Sequence, residues 1–290
     1  MKTLIHYGVA IALTICIASG CRLLSNPTLA GGHSPLKPPQ PAPDSVAMEI
    51  IWVRFPQNDP LFDDATWREI DETQIDPAVR RELLNNGLRA GVIGSSVPAA
   101  ISRALHQEEP KSTDHQVAAL EKNDELMSDP PVHGHVVRLR RNQRSEIQAS
   151  EIYPSLPLLV SNGTELTGHT YEQAQAVYSL RVDPSLDRAV RVEVTPELEY
   201  GTPKFRFTSG EDRFLRQASL RDQKVFDHLR MSVRLSPGDM LVLMSLPNAG
   251  SRLGHYFHTV DSPNGPQQKL ILIRLAEVPP SDTFAAGATP

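Results

Sequence analysis

The chain reads as an α+β protein: a small N-terminal α/β unit followed by a mainly antiparallel, sandwich-like β domain. Three observations carry this reading. Between Ala47 and Gln107, β-branched and aromatic runs alternate with short segments whose apolar residues recur at helical spacing. From Val132 onward the apolar period becomes two, as in strands with one buried face. Residues 108–131 between them are polar and punctuated by Pro110, Pro130 and Pro131, the composition of a linker.

In the first unit (47–107), MEIIWVRF (Met48 to Phe55) reads as a strand closed by Pro56. FDDATWREIDE (Phe62 to Glu72) reads as a short helix, with Asp63 and Asp64 at its positive end. DPAVRRELLNNG has Asp76 as N-cap, Pro77 at the first helical position and Gly87 as the stop. LRAGVIG (Leu88 to Gly94) reads as a strand and SVPAAISRALHQ (Ser96 to Gln107) as a helix. Trp52 and Trp67 are the expected core anchors. In the β domain (132–279), VHGHVVRLRR, SEIQASEIY, AVYSLRVDP, AVRVEVTPELEY, PKFRFTS, MSVRLSPGDMLVLMSL and QKLILIRLAEV read as strands. SLRDQKVFDHL (Ser219 to Leu229) fits either a strand or a short helix. LILI (Leu270 to Ile273) is apolar on both faces and suits a central strand. Residues 280–290 read as a loose tail.

The N-terminus has one cation, Lys2, and then an apolar run from Leu4 to Ile17 broken by His6, Tyr7, Gly8 and Thr14. That is shorter than the ~20 apolar residues a membrane span needs and fits a signal-peptide core. Ala18-Ser19-Gly20-Cys21 resembles the lipobox of bacterial lipoproteins. The resemblance covers the first 21 residues and implies removal of residues 1–20 and acylation of Cys21; the alternative is an ordinary signal peptide with an incidental Cys. Cys16 and Cys21 are the chain's 2 cysteines, so after cleavage no disulfide forms within the mature chain. Arg22, where inner-membrane lipoproteins carry Asp, implies the outer membrane, with the protein facing the periplasm. Residues 21–46 contain six prolines and form a Pro-rich tether.

Further along, GDMLVLMSLPNAGSRLGHYFHT followed by QQKLILIRLAEVP is similar to the closing segment of bacterial secretins: Leu253-Gly254-His255-Tyr256-Phe257 matches a Leu-Gly-x-x-Phe element, and Leu270 to Pro279 a final apolar strand. RVEVTPELEYGTPKFRF resembles an earlier secretin strand pair. The match spans about residues 175–279 and implies a secretin-like β fold. The chain departs from secretins in its shortened Leu246-Pro247-Asn248 loop, in having at most one ring-building module and in lacking a clear counterpart of the lumen-gating hairpins.

The net charge of −5, without a long block of one sign, excludes nucleic acid as a main partner. Arg138, Arg140, Arg141 and Arg144 form one basic cluster, a candidate contact for anionic headgroups or an acidic partner; exposed strand charge is its bland explanation. His133 and His135 share a strand face but lack a third metal ligand in sequence. His255 and His258 flank Tyr256-Phe257, and a packed aromatic turn accounts for them. Glu69 and Glu72 lie one helical turn apart, the spacing of an acid/base pair or of a solvated face. Gly87, Gly91 and Gly94 match neither a dinucleotide nor a phosphate-loop spacing. No cofactor or metal is expected, and no catalytic residue is assigned. The expectation is a lipid-anchored envelope protein, not an enzyme, with a binding, structural or assembly role toward an envelope protein partner. A secretin-related subunit and an exported hydrolase built from scattered carboxylates and histidines are the alternatives. The sequence does not set the oligomeric state.

Overall fold

Strand β11 (Gln267–Glu277) sets the layout. Leu270, Ile271, Leu272 and Ile273 are all fully buried, so the strand needs apolar cover on both faces and paired neighbours on both edges. The computed structural model describes residues 45–57, 59, 64–106, 132–185, 188–209, 215–262 and 265–278, with the backbone alone for 205–209 and 215–219. In it β11 lies between β1 (Val46–Pro56) and β9 (Met240–Ser245), both antiparallel. Sheet A continues outward to β2 (Leu88–Ile93) beside β9 and β3 (Val132–Leu139) beside β1; the short β10 (Thr259–Val260) also pairs with β11.

Sheet B has the order β4 (Ser145–Asn162), β5 (Glu165–Pro184), β6 (Val190–Ser209), β7 (Leu215–Val225), with β8 (Met231–Leu235) also on β6. β7 and β8 share one edge of β6. They are separated by an excursion over 226–230 that contains a 3-10 turn (Asp227–Leu229). SLRDQKVFDHL is therefore a strand and then a short turn of helix.

The two sheets pack face to face. Met48, Ile50, Trp52, Ile271, Ile273 and Leu275 of sheet A meet Ala176, Tyr178, Leu180, Val192 and Val194 of sheet B in one core. The opposite face of sheet A, with Val53, Phe55, Val242, Leu270 and Leu272, is covered by Trp67 of α1 (Asp64–Trp67) and by Ile101 and Ala104 of α3 (Ala99–Leu105). This second layer explains why LILI is apolar on both sides.

The fold is a mainly antiparallel β structure with a few helices, as the alternating segments imply. A separate α/β unit over residues 47–107 is not seen. β1 and β2 do not pair with each other; β11 and β9 stand between them, and both come from the end of the chain. The local β-α-α-β order does not reveal this, because β11's two apolar faces and edges can be satisfied only by bringing distant strands together. Residues 108–131 and 280–290, read as linker and tail, lie outside the described residues.

Helix α2 (Pro77–Asn85) starts as its sequence requires: Asp76 Oδ1 accepts from Ala78 N at 2.8 Å and Val79 N at 3.3 Å. It stops at Gly87, which has φ +74°. There it meets α4 (Leu253–His258), where a Cβ on Gly254 would stand 1.8 Å from Gly87 O. Gly254 N donates to Asn86 O at 3.0 Å. The Leu-Gly-x-x-Phe element thus has a packing explanation: Leu253 and Phe257 fill the inter-sheet core one turn apart, and Gly254 lets two backbones touch.

Gly254→Ala forces these backbones apart. It should lower unfolding free energy by at least about 2 kcal/mol, read as a lowered urea midpoint; an unchanged midpoint would refute the close approach.

Candidate interaction site

Strand β4 would be an edge of sheet B, yet groups from elsewhere cover its outer side. Trp52 Nε1 donates to Gln148 O at 3.1 Å, and the Lys269 ammonium donates to Ala149 O. Tyr256 Oη donates to Pro157 O at 2.6 Å, and Leu159 N donates to Ser251 O at 2.8 Å. Asn86, fully buried, acts as a one-residue strand: its Oδ1 accepts from Ser161 N and its Nδ2 donates to Ser161 O, both at 2.9 Å. Asn86 was not singled out in the sequence, where it reads as part of a helix stop.

The other edges of sheet B differ. β5 pairs with β6 only over 175–184, against 190–199. Beyond that point Gln173 and Gly201 take left-handed φ values of +53° and +76°, and the strands part. Residues 165–174 of β5 then pair with β4 alone, and 204–209 of β6 with β7 alone. Among the described residues, no strand pairs with the outer edge of β5 over 165–174 or of β7 over 215–225. Leu166 is 60% exposed. Over 165–174 there are two carboxylates, Glu165 and Glu172, and no Lys or Arg. Over 215–225 stand Arg216, Arg221 and Lys224 with one carboxylate, Asp222. Unpaired edges of opposite charge are a surface for strand addition.

The four arginines of the sequence cluster separate. Arg138 faces Glu277 across sheet A at 3.4 Å. The Arg140 backbone N donates to Gln143 Oε1 at 3.0 Å. Arg141 pairs with Asp183 at 3.4 Å and donates to Pro184 O. Arg144 crosses the outer face of sheet B, donating to Ser179 Oγ at 3.1 Å, to Glu146 and to buried Glu197 at 2.6 Å. Burial works against this guanidinium's charge, but Glu197 and Glu146 outweigh it and hold its pKa above the ordinary value. Of the four, Arg144 alone lines a mixed-charge cleft of about 530 Å³, with Ser179, Glu197, Arg181, Glu193, Asp227 and Arg230. Cys21 lies outside the described residues.

The other candidates are dispersed. His133 and His135 both stack on Trp52, with centroids at 4.9 and 5.2 Å. Glu72 binds Arg89 at 2.7 and 3.2 Å, and Glu69 sits in the turn after α1. Asp63 is outside the described residues. His255 meets Tyr256 edge-on, whereas His258 is wholly buried. His258 Nδ1 lies 2.8 Å from Lys269 O, an acceptor, so Nδ1 carries the proton and Nε2 accepts from Tyr178 Oη at 2.8 Å. Burial pushes the imidazole pKa down to about 3, with the nearby Lys269 charge acting in the same direction. Burial likewise depresses Lys269 to about 8.

His258 is neutral in the fold and protonates near its ordinary value when unfolded. Its contribution is therefore complete above about pH 6.5 and is lost as pH falls toward 3, by an amount on the order of 4 kcal/mol. His258→Gln should flatten this acid limb in urea unfolding between pH 7 and 4; an equal slope in both proteins would contradict the assignment. No protein-family model, no curated protein and no solved structure matches this chain.

Proposed function

We propose that this is a lipid-anchored protein of the cell envelope whose role is binding and assembly, exercised through strand edges and not through catalysis. The carrying observation is the asymmetry of sheet B. One edge is closed by side chains of the same fold, while among the described residues no strand pairs with the outer side of β5 over 165–174 or of β7 over 215–225. The residues read as an anchor support the address: a short apolar leader, Ala18-Ser19-Gly20-Cys21 and a Pro-rich tether. Among the described residues no helix is long and apolar enough to cross a membrane. In this reading the acylated Cys21 holds the chain on the outer membrane facing the periplasm, and the tether lets the β domain reach a protein partner.

A second reading is favoured by the charges of the two edges. An acidic edge on β5 and a basic edge on β7 of the same sheet are suited to head-to-tail pairing of copies, which closes into rings when the rotation permits. That is the behaviour expected of a secretin-related subunit of a secretion complex.

Two measurements test these readings. Growth with labelled palmitate should mark the wild-type chain and leave Cys21→Ser unmarked; an unlabelled wild type would remove the anchor. Photo-crosslinking amino acids at Leu166 and Leu220, both exposed, should trap a discrete envelope partner in intact cells. Adducts between copies would favour the ring reading, and no adduct from either edge would overturn the binding role.

A further inference from the structure

The mixed-charge cleft on the outer face of sheet B is only partly satisfied from within. Val192, Val194 and Leu198 of β6 are fully buried in the core, so Glu193, Thr195 and Glu197 project from the opposite face. There they stand opposite Arg181, Ser179 and Val177 of β5. On the other side of β6, β7 pairs from Glu197 onward and β8 only as far as Val194, so neither strand flanks Thr195. The excursion over 226–230 joins the two, and its Asp227 and Arg230 line the cleft.

Some of these charges neutralise one another. Arg144 is tied to Glu197, Glu146 and Ser179 Oγ, and Arg230 pairs with Asp227. Arg181 and Glu193 are different. They are direct cross-strand partners of opposite sign, an arrangement that favours pairing. They form no ion pair with each other, and among the described residues neither forms one elsewhere. Thr195 is 7% exposed, and among the described residues its hydroxyl makes no hydrogen bond. A buried hydroxyl without a partner is costly. This one lines a cleft of about 530 Å³, a size that holds a small ligand. A cation, an anion and a hydroxyl, each without a partner on two adjacent strands, match a molecule that carries both signs of charge. Adjacent strands lie about 4.8 Å apart, so the two charges of that molecule are only a few bonds apart, as in an α-amino acid.

We propose that this cleft binds a free α-amino acid. The Arg181 guanidinium takes its carboxylate, Glu193 takes its ammonium, and the Thr195 hydroxyl donates to the carboxylate. The ligand's side chain then faces Gln223 and the two internal ion pairs, surroundings that suit a polar, uncharged group. This site is independent of the strand-edge role above.

The test is calorimetric titration of the full chain carrying Cys21→Ser, so that no acyl anchor contributes. The probes are L-glutamine, L-asparagine and L-serine, and at least one should bind saturably. Its N-acetyl form lacks the ammonium and its amide lacks the carboxylate, while γ-aminobutyrate holds the two charges further apart. Each of these should bind at least about tenfold more weakly, the effect of one lost charge-assisted contact. Arg181→Gln and Glu193→Gln should each weaken binding by a similar factor. Thr195→Val should weaken it about fivefold. Without ligand, Thr195→Val should melt no lower than the parent, because the hydroxyl it removes has no partner in the fold; a purely structural threonine would give a lower melting temperature and unchanged binding. Arg138→Gln, on sheet A, should bind as the parent does. The proposal is overturned if none of the three amino acids binds, if the blocked forms bind equally well, or if Arg181→Gln and Glu193→Gln bind like the parent.

Discussion

Closure of the β4 edge is the constraint on which the architecture depends. A strand at the border of a sheet leaves a row of backbone groups that must find water, a neighbour or a substitute. Here the substitutes come from sheet A and its helices: Trp52, Lys269, Asn86, Tyr256 and the 251–252 turn. Each contact is modest, about 1 kcal/mol net for a neutral hydrogen bond. Leaving a buried backbone group without a partner costs more than that, so the set acts as a seam. It ties the two sheets together, and among the described residues no strand pairs with the outer side of β5 over 165–174 or of β7.

The seam also explains why polar groups lie deep in the sandwich. Lys269 keeps its ammonium between the sheets because Ala149 O, at a bulge of β4, is there to accept it. His258 stays neutral between Tyr178 and Lys269 O, with both ring nitrogens occupied. These are structural fasteners. On the outer surface of sheet B, Arg144 is tied into the carboxylates of Glu146 and Glu197.

Much of the fold was legible in the sequence where periodicity had a physical cause. Asp76, Pro77 and Gly87 bound α2 as read, and Leu270–Ile273 is central as its double-faced apolar pattern demands. The stretch from Leu156 to Gln175 was not assigned, although Asn162-Gly163 is a strong hairpin signal. β5 over 165–173 buries neither face, so its side chains have no cause to alternate; Leu156, Leu158 and Val160 of β4 do alternate inward, but Pro154 and Pro157 interrupt the strand signal there. A separate unit over residues 47–107 is not seen, because strand neighbours are set by long-range pairing. The arginines are visible as a run in sequence, but Arg138 pairs with Glu277 on sheet A while Arg144 binds Glu146 and Glu197 on sheet B. Asn86 was invisible because its task depends on where Ser161 arrives.

The most direct test of the seam is residue-resolved amide hydrogen exchange on the monomer. The outward amides of Leu159 and Ser161, held by Ser251 O and Asn86 Oδ1, should exchange as slowly as amides paired between β4 and β5. The outward amides of β5 over 165–173 should exchange orders of magnitude faster. Fast exchange at Leu159 and Ser161, equal to that of the open β5 edge, would contradict the account.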